Sequence, residues 1–309
     1  KIPCSFHVPF RKSKKRDEKM KQLLILSGKG GTGKTTVASA FVSLSKTQAY
    51  ADCDVDAPNL HLINHNNESY SSKEFYGLKK AYINPDICIA CGLCYEHCRF
   101  DAIIEGEIFC VDTNSCEGCA VCKLVCPVNA ITMKPNIVGA LMLYKNEERV
   151  FSTAKLKPGN GNSGLLVSDV KKQMKNNAKE DTRVAIIDGS PGIGCPVIAS
   201  LSAVDMVLIV AEPSLSGFSD MERIIKTART FETQIILCIN KYDINTRITE
   251  QIEKMCEEEQ IEFVGKIPYD TSAIVAINNN RPVTDYEGKA SDAIKQIYIK
   301  ITERLLDKV

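Results

Sequence analysis

The sequence predicts an α/β fold, a mostly parallel sheet with helices on both faces, interrupted by a small α+β insertion rich in cysteine. Three observations predict it. Short apolar runs alternate with amphipathic stretches along most of the 309 residues, the pattern of parallel strands joined by crossover helices. A glycine-rich loop directly follows the first of those runs. Nine of the fourteen cysteines crowd between Cys88 and Cys126, where the alternation stops. The length suits one large α/β domain or two smaller ones, with apolar content ample for a core.

A net charge of +1 provides no bulk field to draw nucleic acid or a membrane surface. No apolar run approaches the ~18 residues of a membrane span. Residues 1–19 differ from the rest: the basic run Arg11–Arg16 precedes Met20-Lys-Gln-Leu-Leu-Ile-Leu, which reads as a start entering the first strand. Residues 1–19 are expected to be an unstructured leader; a patch for nucleic acid or lipid is the other reading of the run.

The first strand, expected at Leu23–Ser27, runs into Ser27-Gly-Lys-Gly-Gly-Thr-Gly-Lys-Thr-Thr36. Gly28, Gly33, Lys34 and Thr35 satisfy the P-loop spacing G-x-x-x-x-G-K-[ST], with Gly30, Gly31 and Thr32 inside the loop and Thr36 behind it. Such a loop closes backbone N–H groups around phosphates at a helix N-terminus. Lys34 neutralises the β/γ oxygens of ATP and Thr35 holds Mg²⁺. The helix follows near Thr35–Lys46. The same stretch matches the dinucleotide pattern G-x-G-x-x-G through Gly28, Gly30 and Gly33, with Asp52 and Asp54 placed like a ribose-binding acid. That alternative leaves Lys34, Thr35 and Thr36 unexplained.

The second strand, Ala49–Asp52, opens an acidic segment, Asp52-Cys-Asp-Val-Asp-Ala-Pro-Asn59. The insertion follows, assigned to residues 83–132 between two parts of the α/β domain, 20–82 and 133–309. Its basic residues Arg99 and Lys123 face seven acids, a balance of −5. Cys88, Cys91, Cys94 and Cys98 are spaced by two, two and three residues, and Cys116, Cys119, Cys122 and Cys126 repeat the rule. Cys98-Arg-Phe-Asp-Ala-Ile answers Cys126-Pro-Val-Asn-Ala-Ile 28 residues later, as a duplicated fold leaves it. This is the bacterial ferredoxin run for two [4Fe–4S] clusters, in which each fourth thiolate ligates the other cluster. The expected sets are Cys88, Cys91, Cys94 and Cys126 for one cluster, and Cys116, Cys119, Cys122 and Cys98 for the other. Structural zinc uses paired cysteines but gains nothing from the third one in each run. Disulfides suit a secreted chain, whereas thiolate-held clusters with unpaired Cys53, Cys195, Cys238 and Cys256 fit a reducing cytoplasm. Arg99 departs from the proline usual after the fourth cysteine.

The alternation resumes with the strand Val184–Asp188 and the turn Asp188-Gly-Ser-Pro-Gly192. A strand-end aspartate for Mg²⁺, followed by a glycine that can sense a γ-phosphate, is what a P-loop NTPase needs. Asp188 and Gly192 are read in those roles. Strands at Met206–Ala211, Ile235–Asn240 and Ile261–Ile267 then alternate with helices near Val197–Ala203, Gly217–Phe231 and Ile248–Glu259. Apolar positions in Ala293–Val309 indicate a docked core helix rather than a lipid anchor.

Gly-Lys29-Gly-Gly-x-Gly-Lys-Thr resembles the deviant Walker A loop of the MinD/ParA/Mrp and nitrogenase-iron-protein class. The Asp52–Asn59 segment resembles its switch I, Asp188–Gly192 its switch II, and Asn240-Lys-Tyr-Asp243 its adenine-contacting strand end. With the cysteine runs, the chain from Met20 to its last helix resembles MinD-superfamily P-loop ATPases carrying an inserted ferredoxin domain. The resemblance implies ATP and Mg²⁺ binding, slow hydrolysis, and a homodimer with ATP sandwiched at the interface. It also implies that Lys29 reaches the partner's nucleotide, that Asp54 positions the attacking water, and that Asn240 and Asp243 contact the base. Cys195 is spaced from Asp188 like one cluster cysteine of the nitrogenase iron protein, but the second has no counterpart in Pro158–Gly164, so Cys195 is read as a non-ligand.

Three functions follow as expectations. The leading one is an ATPase coupling dimer switching to electron transfer through the two clusters, toward an unnamed redox partner. A cluster carrier or assembly factor of Mrp type, serving an acceptor protein, is the alternative, and a MinD-like positioning ATPase the third.

Overall fold

The structure is a computed structural model that describes residues 20–64, 69–159, 161 and 163–306; the basic leader and Asn160 and Asn162 lie outside the described residues. Lys21–Leu26 form β1, whose burial on both faces fits an apolar run in the middle of a parallel sheet. The other strands of the sheet are β2 (Ala49–Asp52), β3 (Ser71–Tyr76), β8 (Ile137–Lys145), β9 (Val150–Leu156), β10 (Val184–Asp188), β11 (Met206–Ala211), β12 (Gln234–Asn240) and β13 (Glu262–Ile267). Their order is β13-β12-β11-β1-β10-β2-β9-β8-β3. All pairs from β13 to β9 are parallel, while β8 pairs antiparallel with both β9 and β3. The six strands expected from periodicity are here; the wing of β9, β8 and β3 carries no expected element.

Alternate residues of β1 serve opposite cores. Leu24 and Leu26 face helices α5 (Ser163–Asn177), α6 (Cys195–Leu201), α7 (Leu215–Arg229) and α8 (Thr246–Glu258). Leu23 and Ile25 face α1 (Lys34–Ser45), α9 (Thr271–Asn278) and α10 (Lys289–Leu306), with the short α2 (Leu60–Asn64) beside them. Helix starts follow local chemistry: Ser214, Asn245 and Asp270 each accept a backbone N–H from the first turn of α7, α8 and α9. The buried residues of α10 include Ile294, Ile297, Ile301 and Leu305, while Ile299 faces outward. Among the described residues no helix is long and apolar enough to cross a membrane.

Between β3 and β8 the chain builds a small unit with a core of its own. The hairpin-like pair β4 (Lys80–Ile83) and β7 (Ile131–Lys134) lies antiparallel, as does the pair β5 (Ile103–Ile104) and β6 (Cys110–Val111), with α3 (Leu93–Glu96) and α4 (Val121–Val125) between. Ala81, Ile83, Ala102, Ile103, Phe109 and Ile131 form the core beneath the cysteines. Gly77 N–H donates to Asn136 carbonyl, joining the β3·β8 ladder to the β4·β7 ladder.

Candidate nucleotide and cysteine sites

The glycine-rich loop sits at the C-terminal end of β1, where open α/β sheets bind ligands. Gly33 has φ +92, and a Cβ there would lie 2.2 Å from Asn240 Nδ2, so conformation and space both demand glycine. Asn240 Nδ2 donates to Thr32 carbonyl at 2.7 Å, which fixes the loop from the end of β12. Asp243 accepts the Tyr269 N–H at 2.7 Å. Both residues predicted to contact the base therefore hold backbone in this structure.

Lys34 is buried and its Nζ lies 2.6 Å from Asp188 Oδ1, while Thr35 Oγ1 donates to Asp188 Oδ2 at 2.7 Å. Burial works against the charge of Lys34, but Asp188 and Asp52 outweigh it and hold the lysine protonated. Thr32 Oγ1 is buried without a hydrogen-bond partner, a donor left over inside the loop. Gly192 N–H donates to Ser27 carbonyl and Cys53 N–H to Asp188 carbonyl. The first strand, the Asp188–Gly192 turn and the acidic segment are thus tied together.

Asp52 is fully buried. Its Oδ2 accepts the N–H groups of Asn59 and Leu60 and its Oδ1 that of Asp54, each at 3.0 Å, so it fastens the acidic segment to the start of α2. Burial, then the neighbouring Asp188, pushes its carboxyl up to about 7 despite Lys34. Asp54 is half-buried, and burial raises it too, against the pull of Lys34.

Lys29 turns back onto its own chain. Its Nζ meets Glu212 Oε2 at 2.9 Å and Ser214 Oγ at 2.9 Å. Glu212 Oε1 also binds Lys241 Nζ at 3.0 Å, and Lys241 donates to Gly31 carbonyl at 3.1 Å. Burial opposes the Glu212 charge, yet the two lysines hold its carboxyl below the usual range. Glu212 and Lys241, which brace the loop and Lys29, are residues that the sequence reading did not single out. The signal was Glu212-Pro213 at the exit of a buried strand, beside the loop.

In the insertion, Cys98, Cys116, Cys119 and Cys122 line one small cavity with Ala81 and Phe100. Cys88, Cys91, Cys94 and Cys126 line a second with Ile89 and Phe109. Among the described residues no three His, Cys, Asp or Glu side chains converge to hold one metal ion. The four thiols of each cavity surround an apolar space, a donor set and lining that fit a thiolate-held iron–sulfur cluster. Cys195 is exposed at the first turn of α6, beside Gly164.

A likeness to known proteins extends along the chain. An uncharacterised protein of Methanocaldococcus jannaschii is 30% identical over 91% of this chain and 96% of its own. An iron–sulfur cluster carrier protein of Pyrococcus abyssi is 22% identical over 96% of this chain and 89% of its own. The pyruvate synthase subunit PorD of M. jannaschii is 47% identical over 47 residues, 15% of this chain and 55% of that one. The septum site-determining protein MinD of Pyrococcus horikoshii, solved with Mg-ADP, superposes with a TM-score of 0.56 at 16% identity, over 94% of this chain and 99% of that one. This last likeness is one of fold. The sequence profile of the CobQ/CobB/MinD/ParA nucleotide binding domain matches residues 23–283. That match runs through the P-loop and both acidic strand ends, and the chain belongs to this family of P-loop proteins.

Proposed function

We propose that the chain is an ATP-binding, slowly ATP-hydrolysing iron–sulfur protein that couples nucleotide-driven dimer switching to electron transfer through two [4Fe–4S] clusters. The observation that carries this reading is the pair of cavities, each lined by three thiols of one run and the fourth of the other. The cavities sit on a unit spliced into the edge of a nucleotide-binding sheet. Cys88, Cys91, Cys94 and Cys126 would hold one cluster, and Cys98, Cys116, Cys119 and Cys122 the other, within a compact unit of residues 80–134. Each cluster supplies a reversible one-electron couple whose potential follows nearby charge, hydrogen bonds to sulfur and exposure.

On the nucleotide side, Gly28, Gly30, Gly31, Gly33 and Thr36 form the phosphate cradle, and the unpartnered Thr32 hydroxyl faces a role there. Lys34 exchanges Asp188 for phosphate oxygens, which frees Asp188 and Thr35 for Mg²⁺. Asp54 orients water, Lys29 leaves Glu212 to meet the second subunit's nucleotide, and Gly192 reports the γ-phosphate. Asn240 and Asp243 place the base edge of the pocket. The eight thiols call for a reducing compartment, the cytoplasm. A second reading, an ATP-dependent cluster carrier, is favoured by the 22% identity to the P. abyssi carrier across nearly the whole chain.

Anaerobic purification tests the reading. About eight iron and eight sulfide per chain are expected; two zinc ions without visible absorbance would overturn it. Cys126→Ser should damage the cluster of the first run and spare that of the second. Lys34→Ala should abolish ATP hydrolysis. Reversible reduction with iron retained supports electron transfer, whereas ATP-dependent loss of iron to an apo-acceptor supports the carrier.

A further inference from the structure

We infer that Lys80 biases the two cluster cavities against each other, making the cavity of Cys98, Cys116, Cys119 and Cys122 the place where an electron comes to rest. This rests on the two-cluster reading above. Lys34 and Lys80 are the buried lysines among the described residues, 6% and 8% exposed. Lys34 has Asp188. Lys80 has no carboxylate within ion-pairing distance among the described residues, and its Nζ donates to the carbonyl of Cys116. Asp112 is turned to Ser115 and to the Asn114 N–H, which lower its carboxyl, with the Lys80 charge only a lesser cause. A buried cation without a directly paired anion is costly, and a cluster held by four thiolates supplies further negative charge.

The duplication provides an internal control. The shift of 28 residues that superposes the cysteine runs carries Lys80 onto Ile108. The equivalence holds in space: Ala81 lines the cavity containing Cys116, and its counterpart Phe109 lines the cavity containing Cys88. One cavity therefore has a buried positive charge behind its loop, whereas the corresponding residue of the other, Ile108, is uncharged and exposed. Residues adjoining the cysteines lean the same way. Arg99 and Lys123 follow Cys98 and Cys122, against Glu117 alone, whereas no charged residue adjoins Cys88, Cys91, Cys94 or Cys126. Arg99, Lys123 and Glu117 are exposed and screened by solvent, so the buried Lys80 dominates.

The favoured cavity is also the one whose loop meets the tether from β3 and the segment before α5. Gly118 has φ +73, and a Cβ there would lie 2.5 Å from the Lys79 carbonyl, on the tether between β3 and β4. Glu117 approaches Gly161, just before α5. With both clusters bound, an electron from a low-potential donor would rest on the set that contains Cys116, the set of the first run being oxidised by one electron as that one is reduced by one.

The test is an EPR-monitored dithionite titration of the full-length, cluster-loaded chain, with signals assigned by Cys126→Ser. Lys80→Met should shift the one-electron reduction equilibrium of the Cys116-containing set about tenfold toward the oxidised form, about 59 mV. The other set should stay in place with iron content unchanged, and Lys80→Arg should restore the wild-type value. Lys80→Gln, which keeps a polar end for the Cys116 carbonyl, should give the same shift, and it decides the matter if Lys80→Met does not hold its clusters. Two intact clusters whose potentials ignore both substitutions would overturn the inference. A wild-type chain holding fewer than two clusters would instead sink the two-cluster reading.

Discussion

Asp52 shows how a single residue can carry the conflict built into a phosphate site. It is fully buried beside Asp188, and both carboxylates face one lysine, Lys34. Its carboxyl, pushed from 3.8 to about 7, binds a proton more tightly in the folded chain than in the unfolded one. The folded state therefore gains most below the unfolded value near 3.8. That gain is lost as pH rises from about 4 to about 7, and the curve flattens above. The nucleotide-free chain should lose on the order of 2–4 kcal/mol across that window, read by urea unfolding at fixed pH. Mg²⁺ bound beside the acids should flatten the slope by placing positive charge next to them; an equal slope with and without it would contradict the assignment. At this scale the sequence was legible wherever chemistry is written as spacing. The cysteine sets and Lys34 are of that kind. Glu212, Lys241 and Lys80 were not legible, because their partners lie 183, 210 and 36 residues away, across the fold.

Among the elements, the parallel strands announced themselves as continuous apolar runs, since both of their faces are covered. The wing of β3, β8 and β9 did not. All residues of β3 except Phe75 are exposed, and β8 is mostly half-buried, so neither alternates clearly. Helix α5 hides its four buried positions among lysines and asparagines. It is fastened to α6 by Lys171, whose Nζ donates to the carbonyls of Ser200 and Ser202 at 2.6 and 2.5 Å and so closes the end of α6. Burial lowers Lys171 to about 8. Lys171→Met should destabilise the chain by about 1–3 kcal/mol, because those acceptors lose their donor. Chemical denaturation checks this, and no change in midpoint would mean that water replaces the lysine without penalty.

For the whole molecule, the prediction concerns association. Lys29 is held by Glu212 and Ser214 in the single chain, and the dimer reading requires it to leave them. Mg²⁺ with a non-hydrolysable ATP analogue should produce dimers in sedimentation velocity. Lys29→Ala should weaken the dimer at least tenfold while nucleotide binding to the monomer survives; a variant that dimerises like wild type would remove Lys29 from the interface. Another whole-chain consequence follows from the ladder that joins β3·β8 to β4·β7. β3 and β8 are consecutive neighbours in the sheet but not in the chain, and residues 77–136 must be gathered before they meet. An unfolded segment of that length imposes a closure penalty of about 3 kcal/mol, whereas a folded insertion delivers its two ends side by side, with Lys80 opposite Lys134. On the proposed two-cluster reading, iron supply becomes an assembly cue. A chain starved of metal should leave Ser71–Tyr76 unprotected in hydrogen exchange while β1 and β10 stay closed, and loading the clusters should zip the edge strand into place.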